Sequence, residues 1–166
     1  MKSKIIVLVV ILMAFLFISG CQPAEVNTPK ETYPEPDLTI LAEEIIELGV
    51  YPEMLIISET RLAKFYDIDA EQLESFAVYL CAEAIRSDEI VLLRAKDVKD
   101  VEKIRKKIEA RLTAQKKSFD DYLPKEGEKI GAVIQFSSHK DLLFVITESK
   151  FLEDITSLIE RTYQPD

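Results

Sequence analysis

At 166 residues and a formal charge of −9, the chain has room for one domain and a short remainder. Its acidity argues against general nucleic-acid binding, which needs a basic face to neutralise phosphate. Two cysteines are too few for a disulfide scaffold, and four glycines supply no phosphate-cradling loop.

Taken from the start, Lys2 and Lys4 precede an unbroken apolar stretch from Ile5 to Phe17, and Ser19 and Gly20 stand before Cys21. That charge, apolar, small-residue order is the order of a secretory leader. The apolar run is shorter than the roughly 20 residues of a bilayer span. The tetrad Ile18-Ser19-Gly20-Cys21 resembles the bacterial lipobox. The resemblance implies cleavage after Gly20 and a diacylglyceryl group on the Cys21 thiol. Two acyl chains hold a protein on a membrane where one barely does. Cleavage takes two positive charges with it, so 166 residues become 146 and −9 becomes −11. With Cys21 lipidated, Cys81 has no partner, and its apolar surroundings, Phe76 to Leu80, predict a buried, inert thiol. Residues 21–36 hold four prolines and no apolar period, which predicts a semi-extended linker able to reach about 50 Å.

The folded domain is expected over 37–166. Asp37 is a helix cap, Leu38, Leu41, Ile45 and Leu48 recur at helical spacing, and Gly49 supplies a stop. A short helix is expected over 59–66, with a strand as its rival. Strands follow at 74–81 and 89–96, joined by a hairpin-like connection. Asp97 opens the longest helix, whose stripe runs from Val98 through Ile104, Ile108 and Leu112 to Tyr122, with Pro124 and Gly127 as its stop. Strands at 130–137 and 142–148 form a second hairpin, and Ser149 caps a last helix. The order strand-strand-helix occurs twice, as in a pseudo-repeat. The expected fold is α+β: a four-stranded antiparallel sheet with helices on one face, preceded by one or two N-terminal helices.

Several of these stretches, Asp37-Leu38, Phe65-Tyr66-Asp67-Ile68-Asp69, Phe76-Ala77-Val78-Tyr79, Asp88-Glu89-Ile90-Val91, Ala95-Lys96-Asp97 and Arg111-Leu112-Thr113-Ala114-Gln115 with Phe119, Tyr122 and Pro124, resemble the DUF4358 family, small bacterial lipoprotein-like proteins of uncharacterised function. The resemblance covers roughly residues 37–163. It implies an extracytoplasmic, membrane-tethered α+β domain and brings no catalytic residue. The family often has glycine where this chain has Asp67, and again in the final hairpin turn, where it has Ser137-Ser138-His139-Lys140.

Catalytic, cofactor and metal sites are not expected. His139, the one histidine, falls in a turn with no ligand cluster beside it. Ser137 to Lys140 spells Ser-x-x-Lys without the partner motifs or helix start that chemistry needs. Asp120-Asp121 and Glu43-Glu44 are neighbours that point apart on a helix. The local anomaly is the long helix: from Asp97 to Lys117 there are eight basic residues and four acidic ones. Its solvated back is the plain reading. The sharper one is contact with an anionic partner (lipid headgroups, an acidic polymer or an acidic protein) through Lys103, Lys106, Lys107 and Arg111. The sequence thus predicts a non-enzymatic binding module, lipid-anchored on the outer face of the cell membrane. The alternatives are a small envelope hydrolase or transferase working from an open sheet face, and a small-solute-binding lipoprotein.

Overall fold

The computed structural model describes residues 33–164. The leader, Cys21 and most of the linker lie outside the described residues. The elements are α1 (Leu38–Gly49), β1 (Met54–Ile56), α2 (Glu59–Tyr66), β2 (Leu73–Cys81), β3 (Glu89–Ala95), α3 (Val101–Asp120), α4 (Pro124–Gly131), β4 (Ile134–Ser138), β5 (Asp141–Ile146) and α5 (Leu152–Thr162), with single 3-10 turns before β2, α3 and α5.

The sheet has five strands, in the order β1-β2-β3-β5-β4, and every neighbouring pair is antiparallel. The expected four-stranded sheet is therefore wrong by one strand. The extra strand, β1, is a three-residue edge on β2, too short to show a period in the sequence.

The helices also cover both faces of the sheet, not one. Val78, Val91, Leu93, Leu142, Phe144 and Ile146 face α2, α3 and α4 through Leu62, Ile104, Ile108, Leu112 and Ile130. The alternate residues Ala77, Tyr79, Ile90, Leu92, Leu143 and Val145 face α1 and α5 through Leu38, Leu41, Ile45, Ile155 and Ile159. The reason lies in β3 and β5, which are buried at every position. A strand apolar on both sides needs a cover on both sides. Because α3 and α5 lie on opposite faces, the two strand-strand-helix passes are not copies of one another.

Two boundaries moved for local reasons. Pro124, read as a stop, starts α4, because proline fits the first helical turn, where an amide would go unused. Gly127 lets α4 close on α3: an added Cβ would fall 2.0 Å from Asp120 Oδ1. The expected strand at 130–137 accordingly begins only at Ile134. Gly49 is the last residue of α1, as expected of a stop, but its own backbone is not left-handed. It makes room for the Tyr51 ring, and Val50 takes the left-handed conformation, with φ 48°.

Asp67 and His139 share that conformation, at φ 56° and 48°. Left-handed backbone costs an L-residue about 1–2 kcal/mol, and glycine returns about 0.5–1 of that as lost chain entropy. Asp and His tolerate it better than β-branched Val. Val50→Gly, at a side chain 75 % exposed, should therefore raise unfolding free energy by about 1 kcal/mol, and Asp67→Gly by less. Urea midpoints rank the variants, and a destabilised Val50→Gly would contradict the account.

The strands give the domain two distinct ends. At one end Arg94 of β3 pairs with Asp141 of β5, and here the linker joins: the Arg94 guanidinium donates to the Pro36 carbonyl at 2.9 Å, and the Tyr33 ring stacks on His139 at 4.4 Å. Residues 33–36 of the expected linker thus pack on the domain. Asp37 Oδ1 then accepts from the Thr39 and Ile40 amides and starts α1. The far end, five residues along β3 and about 17 Å away, holds Glu89, the 82–88 connection and the α3–α4 turn.

Candidate functional site

Three carboxylates at the sheet's ends are buried: Asp88, Glu89 and Asp141 are 3 %, 1 % and 2 % exposed. Burial of an unpaired charge is costly, and each has at least one cation beside it. At the linker end, Arg94 grips Asp141 with two bonds of 2.7 and 2.8 Å, and the Tyr163 hydroxyl donates to Asp141 Oδ2 at 2.7 Å.

At the far end, Lys129 Nζ lies 3.0 Å from Asp88, 3.1 Å from Glu126 and 3.3 Å from Glu148. Arg86 Nε donates to the same Asp88 oxygen at 2.8 Å. The Ser87 amide and hydroxyl both donate to Glu126 at 2.7 Å, stitching the hairpin connection to α4. Burial raises the Glu126 carboxyl, but the Ser87 donors and Lys129 outweigh it and leave it below its usual range. Burial likewise opposes the charge on Lys129, and Asp88 and Glu126 overcome it, so its pKa rises.

Beside this network stands Glu89. It accepts from the Tyr66 hydroxyl at 2.6 Å and from Arg111 Nε and Nη2 at 3.2 and 3.0 Å. The guanidinium lies over the Tyr66 ring, 4.6 Å from its centroid, and near the Phe65 ring at 5.6 Å. Burial, and next the charge of Glu89, pushes the Tyr66 hydroxyl well above its ordinary pKa.

Arg111 forms the floor of a cleft of about 490 Å³, walled by Phe65, Ala84, Gln115, Phe119 and Tyr122. The Gln115 side-chain oxygen is buried there without a hydrogen-bond partner among the described residues. A second hollow of about 520 Å³, lined by Ile85, Arg86 and Pro124, shares Tyr122 and Leu123 with the first. The rim is apolar and open: Phe65, Ile85, Tyr122 and Leu123 are 38 %, 65 %, 84 % and 37 % exposed. Glu89 already neutralises Arg111, so the cleft offers an apolar wall with a fixed, charge-balanced polar floor. Such a wall suits side chains of a partner or a small amphipathic molecule.

The sequence matches the family described as Domain of unknown function (DUF4358) over residues 47–146, more than half of the chain. The chain belongs to the DUF4358 family. No curated protein and no solved structure matches it. The matched segment of the DUF4358 domain runs from the end of α1 to the end of β5. It takes in the whole cleft and leaves α5 and most of α1 outside, so it is narrower than the expected 37–163.

Of the four cations named from the sequence, the DUF4358 fold separates two pairs. Lys103 and Lys106 are exposed on α3. Lys107 instead bonds the Asp67 carbonyl and lies 3.0 Å from its carboxylate, and Arg111 turns inward to Glu89. Cys21 falls outside the described residues. His139 sits in the β4–β5 turn, as expected. Cys81 is half-buried at the end of β2, not fully buried, and its Sγ accepts from the Glu83 amide. Among the described residues there is no cluster of three or more potential metal ligands, and no helix is long and apolar enough to cross a membrane.

Sequence reasoning missed the Tyr66–Glu89–Arg111 and Arg94–Asp141–Tyr163 groups. The available signal was the charged residue directly bounding a wholly apolar run: Glu89 and Arg94 around Ile90 to Leu93, and Asp141 before Leu142 to Ile146.

Proposed function

We propose that the protein is a lipid-anchored, extracytoplasmic binding module that presents its Arg111 cleft to a protein partner. The observation that carries this reading is the open apolar rim of Phe65, Ile85, Tyr122 and Leu123 at the sheet end opposite the linker. A domain held by its linker end offers that rim away from its point of attachment. The leader and Cys21 supply the anchor, by the order of charge, apolar run and small residues that precede the thiol. The hydrolase or transferase alternative loses its footing, because the open sheet face it required is covered by α1 and α5. The solute-binding alternative keeps one observation in its favour: the cleft volume lies in the range of small-ligand sites.

A photo-crosslinking residue at Tyr122, compared with one at Glu153 on α5, tests the reading in intact cells. The expected result is one recurrent protein adduct from position 122, none from 153, and a diacylglyceryl mass on Cys21 of the mature chain. A mature chain without lipid on Cys21 refutes the anchor. A small molecule copurifying with the native protein, and no protein adduct at 122, moves the cleft to the solute-binding reading.

A further inference from the structure

The two helix layers carry opposite charge. The layer of α1 and α5 has six acidic residues and one basic, a formal −5. The layer of α2, α3 and α4 has eleven basic residues and six acidic, a formal +5. Much of the positive charge is held within the domain. Lys107 is paired with Asp67, Lys116 with Asp120 and Lys129 with Asp88.

Lys103, Lys106 and Lys117 are exposed and form no ion pair among the described residues. At about 100° per residue they fall within a sector of about 60°, opposite the buried stripe of Ile104, Ile108 and Leu112. The outermost line of α3 is therefore a row of exposed ammonium groups. Helix α3, about 30 Å long, begins just past the end of β3 at the linker end of the sheet, where the Lys96 amide bonds the Gln72 carbonyl.

We propose that this outer line of α3 docks on an anionic phospholipid bilayer, laying the domain on its side against the membrane that holds its linker. The inference rests on the anchored reading and names the surface that the sequence left open among several anionic partners. Charge complementarity supports it. The acidic helix layer lies about 20 Å across the sheet from the basic one, more than two Debye lengths of about 8 Å at physiological salt. A bilayer touching α3 therefore responds to the near cations and is largely screened from the acidic side. Their position supports it too. Lys103 and Lys106 lie in the first two turns of α3, nearest the linker, so the chain that tethers the domain brings these two to the headgroups first.

The test uses the native lipidated chain in vesicles of phosphatidylcholine, with and without phosphatidylglycerol. A nitroxide is placed by Ala110→Cys, between the lysines, or by Glu153→Cys on the opposite layer, with Cys81→Ser to keep labelling specific. The expected result is headgroup-level immersion of the Ala110 label in anionic vesicles only, reversed by high salt, while the Glu153 label stays in water. Lys103→Gln, Lys106→Gln and Lys117→Gln together should cut the docking equilibrium by about tenfold or more. A chain that floats with both vesicles while its Ala110 label remains in water overturns this proposal alone. A chain that floats with neither overturns the anchored reading. Immersion independent of phosphatidylglycerol, or a label that responds only to an added soluble acidic polymer, also overturns the proposal.

Discussion

Asp141→Ala should lower the unfolding free energy by about 3–5 kcal/mol. The side chain is 2 % exposed and holds both bonds from Arg94, itself 7 % exposed, and the hydroxyl of Tyr163. Its removal leaves a buried guanidinium whose one other acceptor among the described residues is the Pro36 carbonyl, and a buried hydroxyl with no acceptor among them. Replacing both partners at once is a different matter. Arg94→Met with Asp141→Leu removes two desolvated charges together and should recover much of the loss. An exposed pair behaves otherwise again: Lys99 and Asp97 approach to 2.7 Å in water, and breaking that contact should cost far less, because solvent screens it. Glu89→Ala should fall between the two, because the Arg111 side chain is 21 % exposed and can turn toward the cleft. Urea unfolding of the four variants gives the ranking. A loss below about 1 kcal/mol for Asp141→Ala would mean that Arg94 finds water when its partner is gone.

Above about pH 10 the domain should lose stability steeply. Burial, followed by Glu89, holds the Tyr66 proton well past the ordinary tyrosine value; burial, followed by the hydrogen bond to Asp141, does the same for Tyr163, and burial outweighs the neighbouring Thr147 hydroxyl to do so for Tyr51. An unfolded tyrosine releases its proton near pH 10. Beyond that point the folded chain binds more protons than the unfolded one, so stability falls as pH rises, by about 1.4 kcal/mol per pH unit for each hydroxyl. Three of them give about 4 kcal/mol per unit, with the contribution fully present below pH 10. Unfolding midpoints between about pH 9 and 11, read beside tyrosinate absorbance, measure the slope. Tyr66→Phe should lower it by about a third. A slope unchanged by that substitution would show that some other group titrates.

The sequence made the helices legible wherever one apolar stripe faced a single neighbour, as in Leu38, Leu41 and Ile45 of α1 or Ile104, Ile108 and Leu112 of α3. It made the paired hairpins legible because each has a polar connection between apolar runs. The second helix layer was hidden by an assumption about strands. Ile90 to Leu93 and Leu142 to Ile146 are apolar at successive positions, which already requires cover on both sides. β1 was hidden by its length, and α4 by a proline that opens a helix as readily as it closes one. The cleft was less legible still. Its Arg111 is held by Tyr66 and Glu89, and the three are 23, 22 and 45 positions apart in their pairings. Only the tertiary fold brings such distances to a few ångströms, and a basic residue drawn on a helical wheel does not reveal whether it faces water or a buried carboxylate.

The Pro36 clamp also has a mechanical side. Arg94 belongs to β3 and its partner Asp141 to β5, the third and fourth of the five strands. A tug arriving through the linker is thus handed to the middle of the sheet before it can reach α1. There it is shared by two strands clamped to each other, each paired on its other side as well, rather than borne by a single edge strand.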